Sequence, residues 1–168
     1  MRLYALLGVL AIIGAKAYAP APIQVTSSAF SPGGNIPAKF TCSGGNANPE
    51  LHLSGVPPNA VSLAIIVDDP DAPRGLFTHW LVWNIDPKTT IISENSTPAA
   101  AAEGTNDFGK LGYGAPCPPR GTHRYFFKVF ALDTRLHLKR GAKRADLDRA
   151  MRGHVIGRGE LMGRYGQR

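Results

Sequence analysis

The stretch FTHWLVWNI, residues 77–85, decides the fold class of this chain. Its alternating positions are apolar on both sides, with Phe77, His79, Leu81 and Trp83 on one face and Thr78, Trp80 and Val82 on the other. A strand with two apolar faces is buried on both sides, so residues 77–85 are predicted to form a central strand of a sheet.

Three further stretches have the composition of strands. Residues 61–67 (VSLAIIV) are apolar and β-branched, residues 122–132 (THRYFFKVFAL) form a long run, and residues 158–165 are predicted to form a last strand. Residues 143–154 carry Leu147 and Met151 at helical spacing before Gly153, which predicts one late helix. With 19 glycines and 14 prolines to make turns, the pattern predicts a mostly β fold: a β-sandwich of antiparallel sheets with one C-terminal helix and small helical additions.

Length and charge bound the function. At 168 residues the chain is long enough for one domain with a real core. Its formal net charge of +7 comes from scattered lysines and arginines, a surface that tolerates anionic partners without identifying one. The sequence has no nucleic-acid-binding motif and no interleaved basic and aromatic stripe, so we expect no nucleic-acid partner.

The N-terminus has the pattern of a signal peptide. MRLYALLGVLAIIGAKAYA has one early arginine, an apolar run and the small-x-small end Ala17-Tyr18-Ala19. The run is shorter than the roughly 20 apolar residues that span a bilayer, although an uncleaved membrane anchor remains the alternative. We therefore expect residues 1–19 to be a signal peptide and residues 20–168 to form the domain. The protein would then be periplasmic or secreted, in an oxidising compartment.

Polar groups lie in or at the ends of the apolar strands. Asp69 and Asp71 follow the strand at residues 61–67 on either side of Pro70, and Pro70 and Pro73 restrict the backbone of this turn. His79 lies within the central strand, and His123 and Tyr125 are two residues apart, so they share a face. Each has a structural alternative, respectively a solvated turn, a core histidine and a strand-end pair without a ligand. Their common placement predicts that they meet.

Several motifs carry a family resemblance. They are FTCSGGNANPELHLSGVP at residues 40–57, VDDPDAP at 67–73, FTHWLVWNI, NDFGKLGYGAPCPPRGTHRYFFKVFALD at 106–133 and the closing MRGHVIGRGELMGRY. Through them the chain resembles the phosphatidylethanolamine-binding proteins, also called Raf kinase inhibitor-like proteins, in their bacterial and archaeal branch. The resemblance covers essentially all of the chain after the N-terminal segment. It departs from the family pattern at Leu53 and Asn48, which concern the rim of the expected pocket.

The resemblance implies a non-catalytic protein with a small surface cavity for anions such as phosphate, acetate or a phospholipid head group. The expected ligand-binding side chains are Asp69, Asp71, His79, His123 and Tyr125, and the expected wall is the loop with Gly112, Gly114 and Pro116. A carboxylate beside a histidine favours the imidazolium and fixes the ring, and a tyrosine hydroxyl adds a donor, which suits an oxyanion. No cofactor or metal is expected, and peripheral contact with a membrane is compatible with this ligand class.

Two other functions stay open. Two histidines and two aspartates could ligate a metal in a hydrolase, although the spacings HxH and HExxH are absent. Alternatively, the protein could inhibit a kinase or protease through surface loops such as residues 99–109.

The two cysteines, Cys42 and Cys117, are expected to pair. An exported chain with only two cysteines favours a disulfide, and the family pattern puts both segments at the same end of the sandwich. The alternative is two buried thiols.

Overall fold

A computed structural model describes residues 19–166 of the chain. Residues 1–18, which are all of the predicted signal peptide except Ala19, lie outside this range. The described part contains one turn of 3-10 helix, Ala38–Phe40, one α-helix and nine strands. In chain order these are β1 (Ala21–Pro22), β2 (Gln24–Thr26), β3 (Leu51–Ser54), β4 (Ser62–Asp69), β5 (Phe77–Ile85), β6 (Ile91–Ile92), β7 (Ala102–Glu103), β8 (Thr122–Leu132), α1 (Arg144–Met151) and β9 (Val155–Gly166).

The strands form two sheets. The larger has six strands in the order β1-β9-β8-β4-β5-β7, and the smaller has three in the order β2-β3-β6. All neighbours are antiparallel except the short pair β1 and β9. β4 is buried along its whole length between β5 and β8, and β5 is buried along most of its length. The predicted β-sandwich and its doubly buried strand at residues 77–85 are confirmed.

Two apolar clusters cover the faces of the large sheet. The inner cluster lies between the sheets and includes Leu53, Val67, Trp80 and Phe127. The outer cluster includes Leu81 and Trp83 from β5 and is covered by α1. Each central strand therefore contributes side chains to both clusters, which explains its continuous apolar sequence.

A β-bulge reverses the predicted facing of His79. In the pairing of β4 with β5, Val67 lies opposite Trp80 and Asp68 lies opposite Thr78, so the register skips His79. A bulge adds one extra residue to one strand of a pair, so the alternation of side chains between the two faces is interrupted at that point. His79 consequently lies beside Tyr125 on the inner side, whereas Leu81 belongs to the outer cluster. The prediction that both lie on one face is wrong.

The late helix is shorter than predicted. α1 covers Arg144–Met151 rather than residues 143–154, with Leu147 and Met151 buried as expected. After it the chain turns through Gly153, whose φ of +84° suits glycine, and enters β9 at Val155, three residues before the predicted start of that strand. Among the described residues, no helix is long and apolar enough to span a membrane.

Other differences concern short elements. The small sheet consists of strands of two to four residues, too short for a clear alternation in the sequence. The predicted loop at residues 99–109 contains β7. Cys42 follows the 3-10 turn.

The cysteines form the predicted disulfide. Cys42 and Cys117 are bonded, with Cα atoms 5.3 Å apart. Hydrogen bonds join the same two segments: the Cys42 N–H donates to the Pro116 carbonyl (3.0 Å), and the Ala115 N–H donates to Oδ1 of Asn46 (2.7 Å). The loop before β8 is therefore fixed to the segment that follows the 3-10 turn.

Removing this disulfide should destabilise the protein. The bond links residues 75 positions apart, and in the chain-entropy account a loop of that size contributes about 4 kcal/mol to the free energy of unfolding. We expect the double variant Cys42→Ala/Cys117→Ala to lose a similar amount in urea denaturation. Wild type in reducing agent should behave like the variant, and the variant should be insensitive to the reductant. Two free thiols in denatured, unreduced wild type would contradict the pairing.

Candidate functional site

A small cavity of about 140 Å³ lies where the ends of β4, β5 and β8 meet. Its polar lining consists of Asp69, His79, His123 and Tyr125. Its apolar wall combines two aromatic rings with the disulfide and four small or rigid residues: Phe77, Phe108, Ala72, Pro73, Cys117, Pro118 and Pro119. Pockets for drug-sized ligands are usually about 300–1,000 Å³, so this cavity suits a smaller group.

Asp69 orients His123. The aspartate is the last residue of β4 and is 3% exposed, and its Oδ2 accepts a hydrogen bond from Nδ1 of His123 at 2.7 Å. Its Oδ1 accepts from the backbone N–H of Asp71 at 2.8 Å, which fixes the carboxylate within the turn. Since the carboxylate accepts from Nδ1–H, Nε2 of His123 is the ring nitrogen that is available to a ligand.

A backbone carbonyl orients His79. Nδ1 of His79 lies 2.6 Å from the Gly114 carbonyl oxygen, which can only accept, so Nδ1 carries the proton and Nε2 is left for a ligand. The Gly114 N–H donates in return to the His79 carbonyl at 2.8 Å. Burial lowers the pKa of His79 below its usual value, although the Gly114 hydrogen bond opposes that shift. The ring therefore favours the neutral form near pH 7.

Tyr125 lines this cavity, and its hydroxyl is buried. Its side chain is fully buried, and the hydroxyl makes no hydrogen bond of normal geometry among the described residues, although the Asp69 carboxylate is near enough to interact with it. The ring packs edge-on against His79 and parallel to His123, with centroids 5.2 and 6.5 Å apart. Burial, followed by the negative charge of Asp69, raises the pKa of the hydroxyl, which keeps it protonated and able to donate. A buried donor without a partner is costly, so this group marks the cavity as a place for an acceptor.

Close packing holds the aromatic wall in place. A Cβ built on Gly114 would lie 2.5 Å from the Phe108 ring, so only glycine leaves room for that ring beside the cavity. Oδ1 of Asn106 accepts from the backbone N–H groups of Phe108 and Lys110, and its amide donates to the Gly112 carbonyl. The first and second halves of the connection between β7 and β8 therefore support each other.

Four of the predicted side chains meet in the cavity, namely Asp69, His79, His123 and Tyr125. Asp71 does not line it, because its carboxylate turns outward and binds Arg124 through Nε (2.8 Å), Nη2 (2.7 Å) and the backbone N–H (2.9 Å). These hydrogen bonds lower the pKa of Asp71 to about 2.

The predicted wall also needs correction. Gly112, Gly114 and Pro116 are not among the lining residues, and they act from behind through their carbonyl groups and, for Gly114, through its small size. The residues of this loop that line the cavity are Cys117, Pro118 and Pro119, which directly follow Pro116 and which the sequence pattern did not indicate. Phe108 gave no signal, because it comes from an irregular loop.

The site offers a chemically limited set of groups. Its donors are the Tyr125 hydroxyl and, when protonated, the free ring nitrogens of the two histidines, and its one carboxylate is already paired. Within residues 19–166, no three His, Cys, Asp or Glu side chains are grouped so that they could hold a metal ion. The arrangement is therefore suited mainly to donate hydrogen bonds to a small polar ligand. It can also accept hydrogen bonds from such a ligand.

Comparison with known proteins places the chain in a family. The family model described as phosphatidylethanolamine-binding protein matches residues 26–166. A UPF0098 protein of Pyrococcus horikoshii is 54% identical over 147 residues, which cover 83% of this chain and 74% of that protein. A UPF0098 protein of Chlamydia muridarum is 43% identical over 150 residues, which cover 86% and 99%.

Solved structures agree with this assignment. A structure from Chlamydia trachomatis, named as a homologue of the phosphatidylethanolamine-binding proteins, matches with a TM-score of 0.84 and 42% identity over 88% of this chain and 99% of that one. Escherichia coli YbcL, named as a member of the mammalian PEBP family, matches with a TM-score of 0.82 and 33% identity over 87% and 99%. Since sequence, family model and fold agree over nearly the whole described range, the chain belongs to the phosphatidylethanolamine-binding protein family.

Proposed function

We propose that this protein is an exported, non-catalytic protein that binds a small oxyanion in the cavity of Asp69, His79, His123 and Tyr125. Phosphate, or the phosphate of a phospholipid head group, is the ligand class that the donors favour. The observation that carries the proposal is the Tyr125 hydroxyl, a buried and protonated donor that makes no well-formed hydrogen bond among the described residues. An oxyanion accepts such a hydrogen bond, and an apolar ligand would leave the donor unpaired.

The charges in the cavity favour phosphate over an ammonium group. Asp69 already accepts hydrogen bonds from His123 and from the Asp71 backbone. An ammonium would therefore meet no unpaired carboxylate in the cavity. A protonated His123 beside Asp69 forms a balanced pair, and its Nε2–H remains free to donate to an anion.

The larger groove on the outer face of the large sheet is a weaker candidate for this function. It measures about 570 Å³ and is lined by Lys128, Phe130, Arg158, Gly159 and Glu160. It contains no buried histidine or hydroxyl, so nothing in it fixes the orientation of a small ligand. The smaller cavity is preferred because its polar groups are buried and their directions are set by hydrogen bonds.

The lining of the cavity gives little support to catalysis. Cys117 is held in the disulfide, and among the lining residues the hydroxyl of Tyr125, whose pKa is raised, is a poor nucleophile. A metal-dependent hydrolase would need a cluster of ligands, whereas Asp69 and His123 are already bonded to each other.

A role as a protein inhibitor is the second candidate, and one observation favours it. Leu76, Phe108 and Leu111 are large apolar residues that are about half exposed. Phe108 also lines the cavity, so a partner that covers this ring would contact the cavity mouth. A His79 variant that loses phosphate but keeps a protein partner would support this second function.

His79→Ala should weaken phosphate binding tenfold or more, because it removes a buried ring nitrogen whose charge-assisted hydrogen bond is worth about 1.5–3 kcal/mol. His137→Ala, at an exposed position, is the control and should have little effect.

Because the pKa of His79 is lowered, its proton is taken up only below the usual histidine range. Anion affinity should therefore rise as the pH falls through and below about 6.5.

Titration calorimetry with two anions sharpens this test. Sulfate keeps its charge over this pH range and cannot donate to a neutral Nε2, whereas hydrogen phosphate can. Sulfate affinity should consequently rise more steeply than phosphate affinity as the pH falls. A flat pH profile for both anions in wild type would contradict a role for the histidines.

Asp69→Asn should weaken phosphate binding, even though it removes a negative charge close to an anion. The neutral amide loses the charge-assisted hydrogen bond that fixes the His123 ring, so about 1 kcal/mol, or roughly fivefold in affinity, should be lost. Asp133→Asn is a matched control, because Asp133 accepts from Nδ1 of His154 at 2.8 Å in an exposed pair. Tighter phosphate binding by Asp69→Asn would show that the carboxylate does not orient a ligand-binding histidine.

Export is inferred from the N-terminal sequence, with the disulfide as a supporting observation, since such bonds persist in oxidising compartments. We expect the mature protein to begin at or within two residues of Pro20. N-terminal sequencing of protein recovered from outside the cytoplasm tests this, and an intact Met1 on such protein would contradict cleavage.

A further inference from the structure

A second groove opens beside the cavity, on the other side of the first residues of β8. It measures about 680 Å³ and is lined by three arginines, Arg120, Arg124 and Arg164, together with Asp71 and Thr122. His123 lines both this groove and the cavity, so the two are adjacent.

The charges of this groove are unbalanced. Asp71 is already bound by Arg124 through two guanidinium nitrogens. Arg120 and Arg164 are exposed, and within residues 19–166 their side chains make no ion pair or hydrogen bond. One carboxylate therefore faces three guanidinium groups.

The sheet register places two of these arginines directly opposite each other. Arg124 of β8 pairs with Arg164 of β9, so their side chains leave the same face at adjacent positions. Like charges opposite each other across a strand pair are destabilising, and Asp71 offsets only the Arg124 side of the pair. An anion bound between them would relieve this repulsion.

The Thr122 hydroxyl lies on the same face as these two arginines. Thr122 lies two residues before Arg124, on the same face, and pairs with Gly166 of β9. A Cβ on Gly166 would lie 2.5 Å from the Thr122 hydroxyl oxygen and 2.8 Å from the Gly121 carbonyl oxygen, so glycine is favoured where β9 passes Thr122. The hydroxyl adds a donor next to the arginines.

We propose that Arg120, Arg124 and Arg164 form a second oxyanion-binding site, separate from the cavity, which takes a phosphate group. Each guanidinium group can bind phosphate through two parallel hydrogen bonds. A pair of arginines therefore suits a phosphate group better than a pair of lysines, whose ammonium groups act as point charges. The phosphate can be free or can belong to the head group of an anionic phospholipid. This site does not depend on the cavity being occupied.

Phosphate titration followed by NMR tests the proposal, since the backbone amides of Gly121 and Thr122 report on the groove and Tyr125 reports on the cavity. In wild type both sets of signals should shift. Arg164→Gln should weaken the response at residues 121–122 about tenfold or more while the response of Tyr125 is retained. Arg158→Gln is the control, since Arg158 is an exposed arginine on the same face of β9, six residues away; it should leave both responses unchanged.

Thermal unfolding checks that the variants are folded and gives an independent readout. In phosphate-free buffer Arg164→Gln should unfold at the wild-type temperature or above, because a like-charge contact is removed, and it should lose part of the stabilisation by phosphate. Arg120→Gln provides a second variant that does not touch the sheet. Wild-type residues 121–122 that do not respond to phosphate, or an equal loss in Arg158→Gln, would overturn the proposal.

A vesicle arm distinguishes the two sources of phosphate. Binding to phosphatidylcholine vesicles that contain phosphatidylglycerol, lost in Arg164→Gln but kept in Arg158→Gln, would assign the site to lipid head groups. Response to inorganic phosphate without such binding would assign it to free phosphate. A shift of Tyr125 with none at residues 121–122 would leave the cavity as an anion site and refute this second one.

Discussion

The structure depends on the burial of two consecutive carboxylates at the end of its central strand. Asp68 is fully buried and Asp69 is 3% exposed. Because side chains alternate along a strand, the two point to opposite faces of the large sheet. Burying an unpaired charge is very costly, so the fold must supply partners on both faces at this one point.

Different elements supply these partners. On the outer face Asp68 accepts from Lys128 of β8 (3.0 Å) and from Arg144, the first residue of α1. Arg144 also binds Asp148 one turn later, so the start of the helix is tied to the end of β4. On the inner face Asp69 pairs with His123. Two neighbouring residues of β4 therefore have different roles. Asp68 attaches the helix through Arg144, and Asp69 orients His123, a candidate ligand-binding histidine.

The sequence was sufficient for the features that follow from alternation and rigid turns. The central strands have apolar residues on both faces, and their positions were predicted closely. Asp69, His123 and Tyr125 could be brought together because each lies at a strand end. The facing of His79 could not be derived, because a bulge depends on how β4 and β5 pair and leaves no pattern in β5 alone. Asp71 was misplaced for a similar reason: its direction is set by Arg124, 53 residues away. Phe108 reaches the cavity only because Gly114 leaves it room.

The same alternation explains why β8 carries two different chemistries in its first four residues. His123 and Tyr125 point inward, where burial and fixed hydrogen bonds suit a small anion held in one orientation. Thr122 and Arg124 point outward, where exposed guanidinium groups suit a phosphate bound with less restriction. Asp69 and Asp71 match this division, since the first pairs with the inner histidine and the second with the outer arginine. Pro70 lies between the two aspartates and restricts the backbone, which keeps their carboxylates apart. Asp69 therefore holds a side chain on the inner face of β8, and Asp71 holds one on the outer face.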